Sequence, residues 1–302
     1  MNMETFLKEF KKTHPKEELL SYLDKIKDLD VIIIGETIQD VYQYGTTLGK
    51  SGKSPIIAFE NKRKERYDGG ILAIRNHLKE FTHKVDYYTD EIMVVKKRYI
   101  QEGQKLFETY TTQKNKYKSN YTDINNYDLV VIADFGHGFL TKERRNDISD
   151  KANYLALNTQ LNAGNMGMNT INKYSKWNYI SIGGNELRLA TSNQFDDLNT
   201  ILLDNFNKGT ISITEGKHGC IVFKDRIIKY IPIVPVIKEV IDPIGAGDAF
   251  FAISSPIAFL NAPPEIIGFM GNLAGNMTCN YQGNKYHVTK NKLLDNIENI
   301  YD

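Results

Sequence analysis

Cysteine is nearly missing from this sequence: Cys220 and Cys279 are the only two in 302 residues. They are too few for a disulfide framework and lack metal-ligand spacing, so both are expected as free core thiols in a reducing compartment. An excess of charge is missing too. The 38 Lys and Arg nearly balance the 37 Asp and Glu, which leaves no global field to attract nucleic acid or an anionic membrane and makes a small molecule the expected partner. No run approaches the length of a membrane span. The opening stretch MNMETFLKEFKKTHPKEELLSYLDKIKDL is charged and periodic where a secretory signal needs unbroken apolar residues, so a cytoplasmic protein is expected.

Three common catalytic signatures are also absent. The first strand candidate leads into Gly35-Glu36-Thr37, which is not the GxGxxG of dinucleotide folds. No GxxxxGK[ST] phosphate loop and no GxSxG elbow occurs anywhere.

What is present alternates. Short aliphatic runs at Val31 to Ile34, Leu129 to Ala133, Tyr154 to Leu157, Tyr179 to Ile182 and Thr210 to Thr214 read as strands buried on both faces, and most are separated by stretches long enough for a helix. This pattern predicts an α/β fold with a mainly parallel, doubly wound sheet. Leu7, Phe10, Leu19, Leu20, Leu23 and Ile26 recur at helical spacing, broken at Pro15, and predict an N-terminal helical extension over 1–28 within one domain of 1–302. Tyr42 to Phe59 and Val94 to Thr112 break the alternation and read as exposed antiparallel strands, either surface hairpins or a lid. The basic run Asn61 to Arg66 reads as a solvated surface.

The strongest chemical signal is Ile241-Asp242-Pro243-Ile244-Gly245-Ala246-Gly247-Asp248-Ala249-Phe250, followed by an apolar run. Small residues at 245 to 247 let a backbone approach a ligand, and amides at the start of a helix face an anion. Asp248 would repel an anion that was merely bound. It suits a general base beside a transferring phosphoryl group, with the amides of Gly245, Ala246 and Gly247 meeting the developing charge. It also suits a plain helix cap, and spacing leaves both readings open.

At this point the chain resembles the ribokinase/PfkB family of carbohydrate kinases, whose late signature D-[TP]-x-G-A-G-D-x-F is matched by Asp242 to Phe250. The resemblance extends over nearly the whole chain and implies a ribokinase-like α/β fold with a central, mainly parallel sheet and a small β-sheet lid, with lid strands within about 42–60 and 94–112. It implies ATP and Mg2+, with Asp248 as base, Gly245 to Gly247 as anion hole and Asp242 ordering that turn. Asp40, in Gly35-Glu36-Thr37-Ile38-Gln39-Asp40, resembles the carboxylate that binds sugar hydroxyls, and Gly69-Gly70 the turn beneath the sugar. Thr214-Glu215-Gly216-Lys217-His218-Gly219 is similar to the T-x-G-x-x-G nucleotide loop, which implicates Thr214, Gly216 and Gly219, and Asn276 is the implied contact near the adenine.

Within the family, Lys53 to Ile57, Lys96-Lys97-Arg98-Tyr99-Ile100 and Asp134-Phe135-Gly136-His137-Gly138-Phe139-Leu140-Thr141 look like the bacterial heptose-7-phosphate kinases of surface-polysaccharide pathways. That likeness implies Arg98 on the phosphate of the sugar and Asp134 in the substrate site, while His137 reads as a solvated loop residue.

Two departures stand out. Ile74 occupies the place of a sugar-binding Asn, which leaves Arg75 or Asn76 to substitute or the substrate to differ. The NxxE element reads Asn185-Glu186-Leu187-Arg188, so Glu186 is left to serve the metal through water, or Arg188 to contact phosphates. These departures support the alternative of a catalytically weakened binding module in a larger polysaccharide-biosynthesis protein or complex. Paired edges of the lid predict a homodimer.

Overall fold

The computed structural model describes residues 2–117, 119, 123–234, 236 and 239–302. The strands are β1 (Asp30–Gly35), β2 (Thr37–Lys50), β3 (Ile57–Gly70), β4 (Lys84–Tyr88), β5 (Ile92–Gln101), β6 (Gln104–Lys114), β7 (Leu129–Asp134), β8 (Leu155–Thr159), β9 (Tyr179–Gly183), β10 (Thr210–Thr214), β11 (Cys220–Lys224) and β12 (Ile227–Ile231). The helices are α1 (Met3–Thr13), α2 (Lys16–Lys25), α3 (Ile71–Leu78), α4 (Lys142–Lys151), α5 (Gly184–Ala190), α6 (Leu198–Asn205), α7 (Ala246–Phe259), α8 (Pro264–Thr278) and α9 (Lys290–Tyr301).

An eight-stranded sheet runs in the order β12-β11-β10-β9-β8-β7-β1-β4. Pairings from β4 to β10 are parallel, and β11 and β12 close one edge as an antiparallel hairpin. Alternation along each strand divides its side chains between two apolar layers. Val31 and Ile33 join Leu129 and Val131 under α1, α2, α3, α7, α8 and α9. Ile32 and Ile34 join Val130 and Ile132 under α4, α5 and α6. Each such fully buried side chain contributes about 1.5–3 kcal/mol, which explains why these strands are continuously apolar rather than alternating. The α1 and α2 helices are anchored by Phe6, Phe10, Leu19, Leu23 and Ile26, while Leu7 and Leu20 stay partly exposed.

A second sheet runs β3-β2-β5-β6. Its strands extend well beyond the predicted segments, and β3 continues through the basic run to Gly70. The expected antiparallel arrangement needs correction, because β2 and β5 pair in parallel at the centre while the outer pairs are antiparallel. The chain leaves β2 through β3 and α3 and crosses the main sheet at β4 before returning as β5, a crossover that permits parallel pairing. No helix among the described residues is long and apolar enough to cross a membrane.

Candidate active site

The cleft lies where the parallel strands end. In open α/β sheets the loops beyond the carboxyl ends of the strands form the ligand crevice. Here Phe135 follows β7, Gln160 to Ala163 follow β8, Gly183 closes β9 and Thr214 closes β10. The small sheet stands over this end. Period-two alternation turns Ile38 and Asp40 of β2, Lys96 and Arg98 of β5, and Glu108 and Tyr110 of β6 toward the cleft, in cross-strand register Asp40↔Lys96, Lys96↔Tyr110 and Arg98↔Glu108.

Between the two sheets is a cavity of about 360 Å³, and Asp248, Gly245, Gly247 and Gly70 also contribute to its wall. Asp248 stands in the first turn of α7, a helix apolar on nearly every side because it is wedged against the sheet, α3 and α8. Its carboxyl accepts a 3.1 Å hydrogen bond from Gln160 Nε2. Burial, reinforced by the negative charge of Asp40, pushes its pKa up to about 7, against the pull of Lys96 and the Gln160 bond.

The turn before α7 is held by Asp242, whose carboxylate accepts from the Ile244 amide (3.1 Å), the Gly283 amide (3.0 Å), Tyr42 Oη (3.0 Å) and Lys105 Nζ (2.8 Å). Burial acts to raise its pKa, but these donors outweigh burial and hold it below the usual value. Asp242 thus ties β2 and β6 of the small sheet and the C-terminal segment to one turn without lining the cavity. Gly245 takes φ +88°, and a Cβ there would lie 2.2 Å from Asn284 Oδ1. Among the described residues the amides of Gly245 and Gly247 have no acceptor, whereas the Ala246 amide donates to Pro243 O at 3.2 Å. Of the three predicted anion-hole amides, Ala246 is therefore internally engaged.

Asp40 and Arg98 meet each other. Arg98 Nη1 lies 2.5 Å from Asp40 Oδ1, and Nε lies 3.4 Å from Glu108, which accepts a 2.8 Å bond from Tyr110 Oη. The Arg98 guanidinium is thereby neutralised inside the protein. Asn284 Nδ2 reaches Asp40 Oδ2 at 3.3 Å. Gly70 caps α3 at φ +61°, where a Cβ would lie 2.3 Å from Glu36 O, and Gly69 leaves room for the Asp40 carboxylate.

Several predicted positions lie elsewhere. Asp134 is 1 % exposed and does not line the cavity. It accepts from Tyr174 Oη (2.5 Å) and the Gly136 amide (3.0 Å) and pairs with Lys173 (2.6 Å), which anchors the loop after β7. Ile74 is in the core, Arg75 donates to Val85 O at 3.3 Å, and Asn76 is not in the cavity wall. Arg188 turns back to Gln194 O (3.1 Å) and Asp196 O (2.6 Å) and lines neither cavity described here. His137 is half-buried rather than solvated, and burial and then Lys96 bring its pKa down to about 4.

A second cavity of about 490 Å³ adjoins the first at Leu161 and is lined by Gly183, Gly184, Asn185, Glu186, Thr214, Glu215 and His218. Gly216 and Gly219 shape its rim through positive φ without entering the wall. Glu186 accepts from the Leu161 amide at 3.0 Å and from the Gly183 amide, one through each oxygen, and burial raises its pKa. Asn276 accepts from the Val236 amide at 2.9 Å and lines neither cavity.

Lys96, Gln160 and Asn284 are among the site residues that sequence reasoning missed; Glu36, beneath them, accepts from the Phe135 (3.0 Å) and His137 (3.1 Å) amides. Burial and the nearby Asp134 raise the Glu36 pKa to about 7. Lys96 carried a signal in its alternation with Arg98 on one strand face.

The fold is shared with solved kinases. Thermotoga maritima ribokinase matches with TM-score 0.68 at 12% identity, over 90% of this chain and 99% of that one. Arabidopsis thaliana ribokinase, solved with ribose and ATP, matches with TM-score 0.67 at 14% identity over the same shares. The Methanocaldococcus jannaschii nucleoside kinase, a ribokinase-family member, matches with TM-score 0.63 at 15% identity, over 90% of this chain and 99% of that one. A search of curated proteins gave no significant match. The family model for pfkB carbohydrate kinases matches residues 94–290, more than half of the sequence and including the whole turn that carries Asp248. The chain therefore belongs to the pfkB family of carbohydrate kinases, phosphotransferases of the ribokinase-like fold.

Proposed function

We propose that this chain transfers the terminal phosphoryl group of ATP to a hydroxyl of a sugar phosphate of the heptose-7-phosphate kind, in surface-polysaccharide precursor synthesis. The observation that carries the reading is Asp248, a near-neutral-pKa carboxyl on the cavity wall next to the unengaged amides of Gly245 and Gly247. Asp248 accepts the proton of the attacking hydroxyl, and the amides meet charge on the phosphoryl oxygens. Asp40 positions the acceptor through its hydroxyls. Asn284, which faces the same cavity, supplies the hydrogen-bonding group that Ile74 does not. The second cavity suits the nucleotide, with Thr214 and Asn185 on its wall and Gly216 and Gly219 shaping its rim.

Magnesium, when bound, would neutralise phosphate charge. The donor set fits an ion that arrives with the nucleotide. Among the described residues no group of three His, Cys, Asp or Glu is arranged to hold a metal, and Mg2+ keeps several waters and is held largely by substrate phosphates. Glu186, with both oxygens already on amides, would act on such an ion only through water.

The edges of the small sheet, β3 and β6, with Ile56, Ile57, Leu106 and Phe107 exposed on or beside them, support a homodimer through that sheet. The test of the activity is Mg2+-dependent ADP release across free and phosphorylated hexoses and heptoses. One sugar phosphate stimulating release is expected, and stimulation by no sugar would contradict the reading.

A further inference from the structure

Lys96 is 7 % exposed, and among the described residues its ammonium has no hydrogen-bond or ion-pair partner. The ammonium lies over two rings, Tyr110 with a centroid at 5.6 Å and Phe135 at 5.8 Å. Burial lowers its pKa, against attraction from Asp40, Glu108 and Asp248, with Arg98 nearby adding repulsion. A buried ammonium without an oxygen partner is costly, and this one opens onto the acceptor cavity. The other cation on that wall, Arg98, is already bound by Asp40 and Glu108. Releasing Arg98 to a ligand would strip Asp40 of its counter-charge, whereas Lys96 can accept an anion without breaking any contact.

We infer that Lys96, not Arg98, holds the anionic group of the acceptor, a phosphate monoester or a carboxylate, and makes the enzyme selective for charged over neutral sugars. The inference rests on the acceptor-site reading above and names the group that sets its specificity. Lys96 lines the cavity bounded by Asp40 and Asp248 and is absent from the wall of the second cavity, which favours the acceptor over the phosphoryl donor as its ligand. The flanking rings suit a mono-cation in a partly apolar setting, because they add cation–π attraction while leaving the ammonium protons free for oxygen acceptors.

The test is calorimetric binding of matched pairs, mannose against mannose 6-phosphate and sedoheptulose against its 7-phosphate, with gluconate to separate carboxylate from phosphate. Wild type, Lys96→Met and Lys96→Gln are compared, all verified as folded by thermal melting, with ATP titrated into each. The wild type is expected to bind at least one charged member roughly 10-fold or more tighter than its neutral partner, and both variants are expected to lose that preference while keeping ATP affinity. Equal binding of charged and neutral sugars by wild type, binding of none of them, or an unchanged preference in both variants would overturn the inference. So would a loss of ATP affinity with the sugar preference intact, which would assign Lys96 to the donor. ADP release is scored separately. Sugar phosphates that bind through Lys96 without being phosphorylated would contradict the kinase reading while leaving this one standing.

Discussion

Asp248 sits at the third position of an apolar helix, where an ionised carboxylate lacks water and has a second carboxylate, Asp40, nearby. Both influences favour the protonated form and bring the pKa up to about 7. A base is active only when deprotonated, so kcat/KM is expected to rise with pH through about 7 and level off above it; a profile flat from pH 5.5 to 8.5 would count against Asp248. The same shift has a stability sign. Because the folded pKa lies above the unfolded value of 3.8, the stabilising contribution of the proton is fully present below about pH 3.8 and is lost as the pH rises to about 7. Asp248→Asn, which is neutral at every pH and can still accept from Gln160, is expected to melt ~5 °C above wild type at pH 8, with the gap narrowing as the pH falls below 7 and closing near pH 4.

The turn around Asp248 is legible in the sequence because consecutive small residues followed by a carboxylate form a contiguous pattern. Asn284 and Gln160 are not, since single amides reach the cavity from 36 residues beyond Asp248 and from the loop after β8, and only tertiary folding brings them together. Arg98 illustrates the converse. Its chemistry suits a phosphate, but nothing in the sequence reveals that Asp40 is within 2.5 Å.

At the scale of elements, the small sheet has two edges, β3 and β6, without a further strand among the described residues. β3 is flanked by exposed Ile56 and begins with exposed Ile57, while β6 carries exposed Leu106 and Phe107. Paired copies would cover these edges, so sedimentation at micromolar concentration is expected to give a dimer that Ile57→Lys shifts toward monomer; a wild-type monomer would contradict the proposed association. The buried parallel strands are legible because both faces are apolar. The β11–β12 hairpin is not. Its turn places Asp225 and Arg226 at φ +48° and +69°, a conformation usually announced by Asn-Gly. β4 is hidden for a different reason: as the edge strand beside β1 it is only partly buried and keeps polar residues such as Lys84 and Asp86. The parallel pairing of β2 with β5 depends on a crossover through β3, α3 and β4 that no local pattern encodes.

The whole molecule is a two-sided α/β slab with the candidate site at the strand carboxyl ends and a β-sheet cover anchored to the turn that carries Asp248. Asp242 makes that anchorage. It accepts from Tyr42 of β2 and Lys105 of β6 on one side and from the Ile244 and Gly283 amides on the other, so one carboxylate links the cover to the turn. The departures at Ile74 and Arg188 leave this arrangement intact, because the first side chain is core and the second braces its own loop. The central claim is that Asp248 deprotonates the acceptor. The most direct measurement is turnover and ATP affinity of Asp248→Asn with the preferred sugar. The account predicts wild-type ATP affinity and turnover lower by roughly two to four orders of magnitude, whereas unchanged turnover would remove Asp248 from the chemistry.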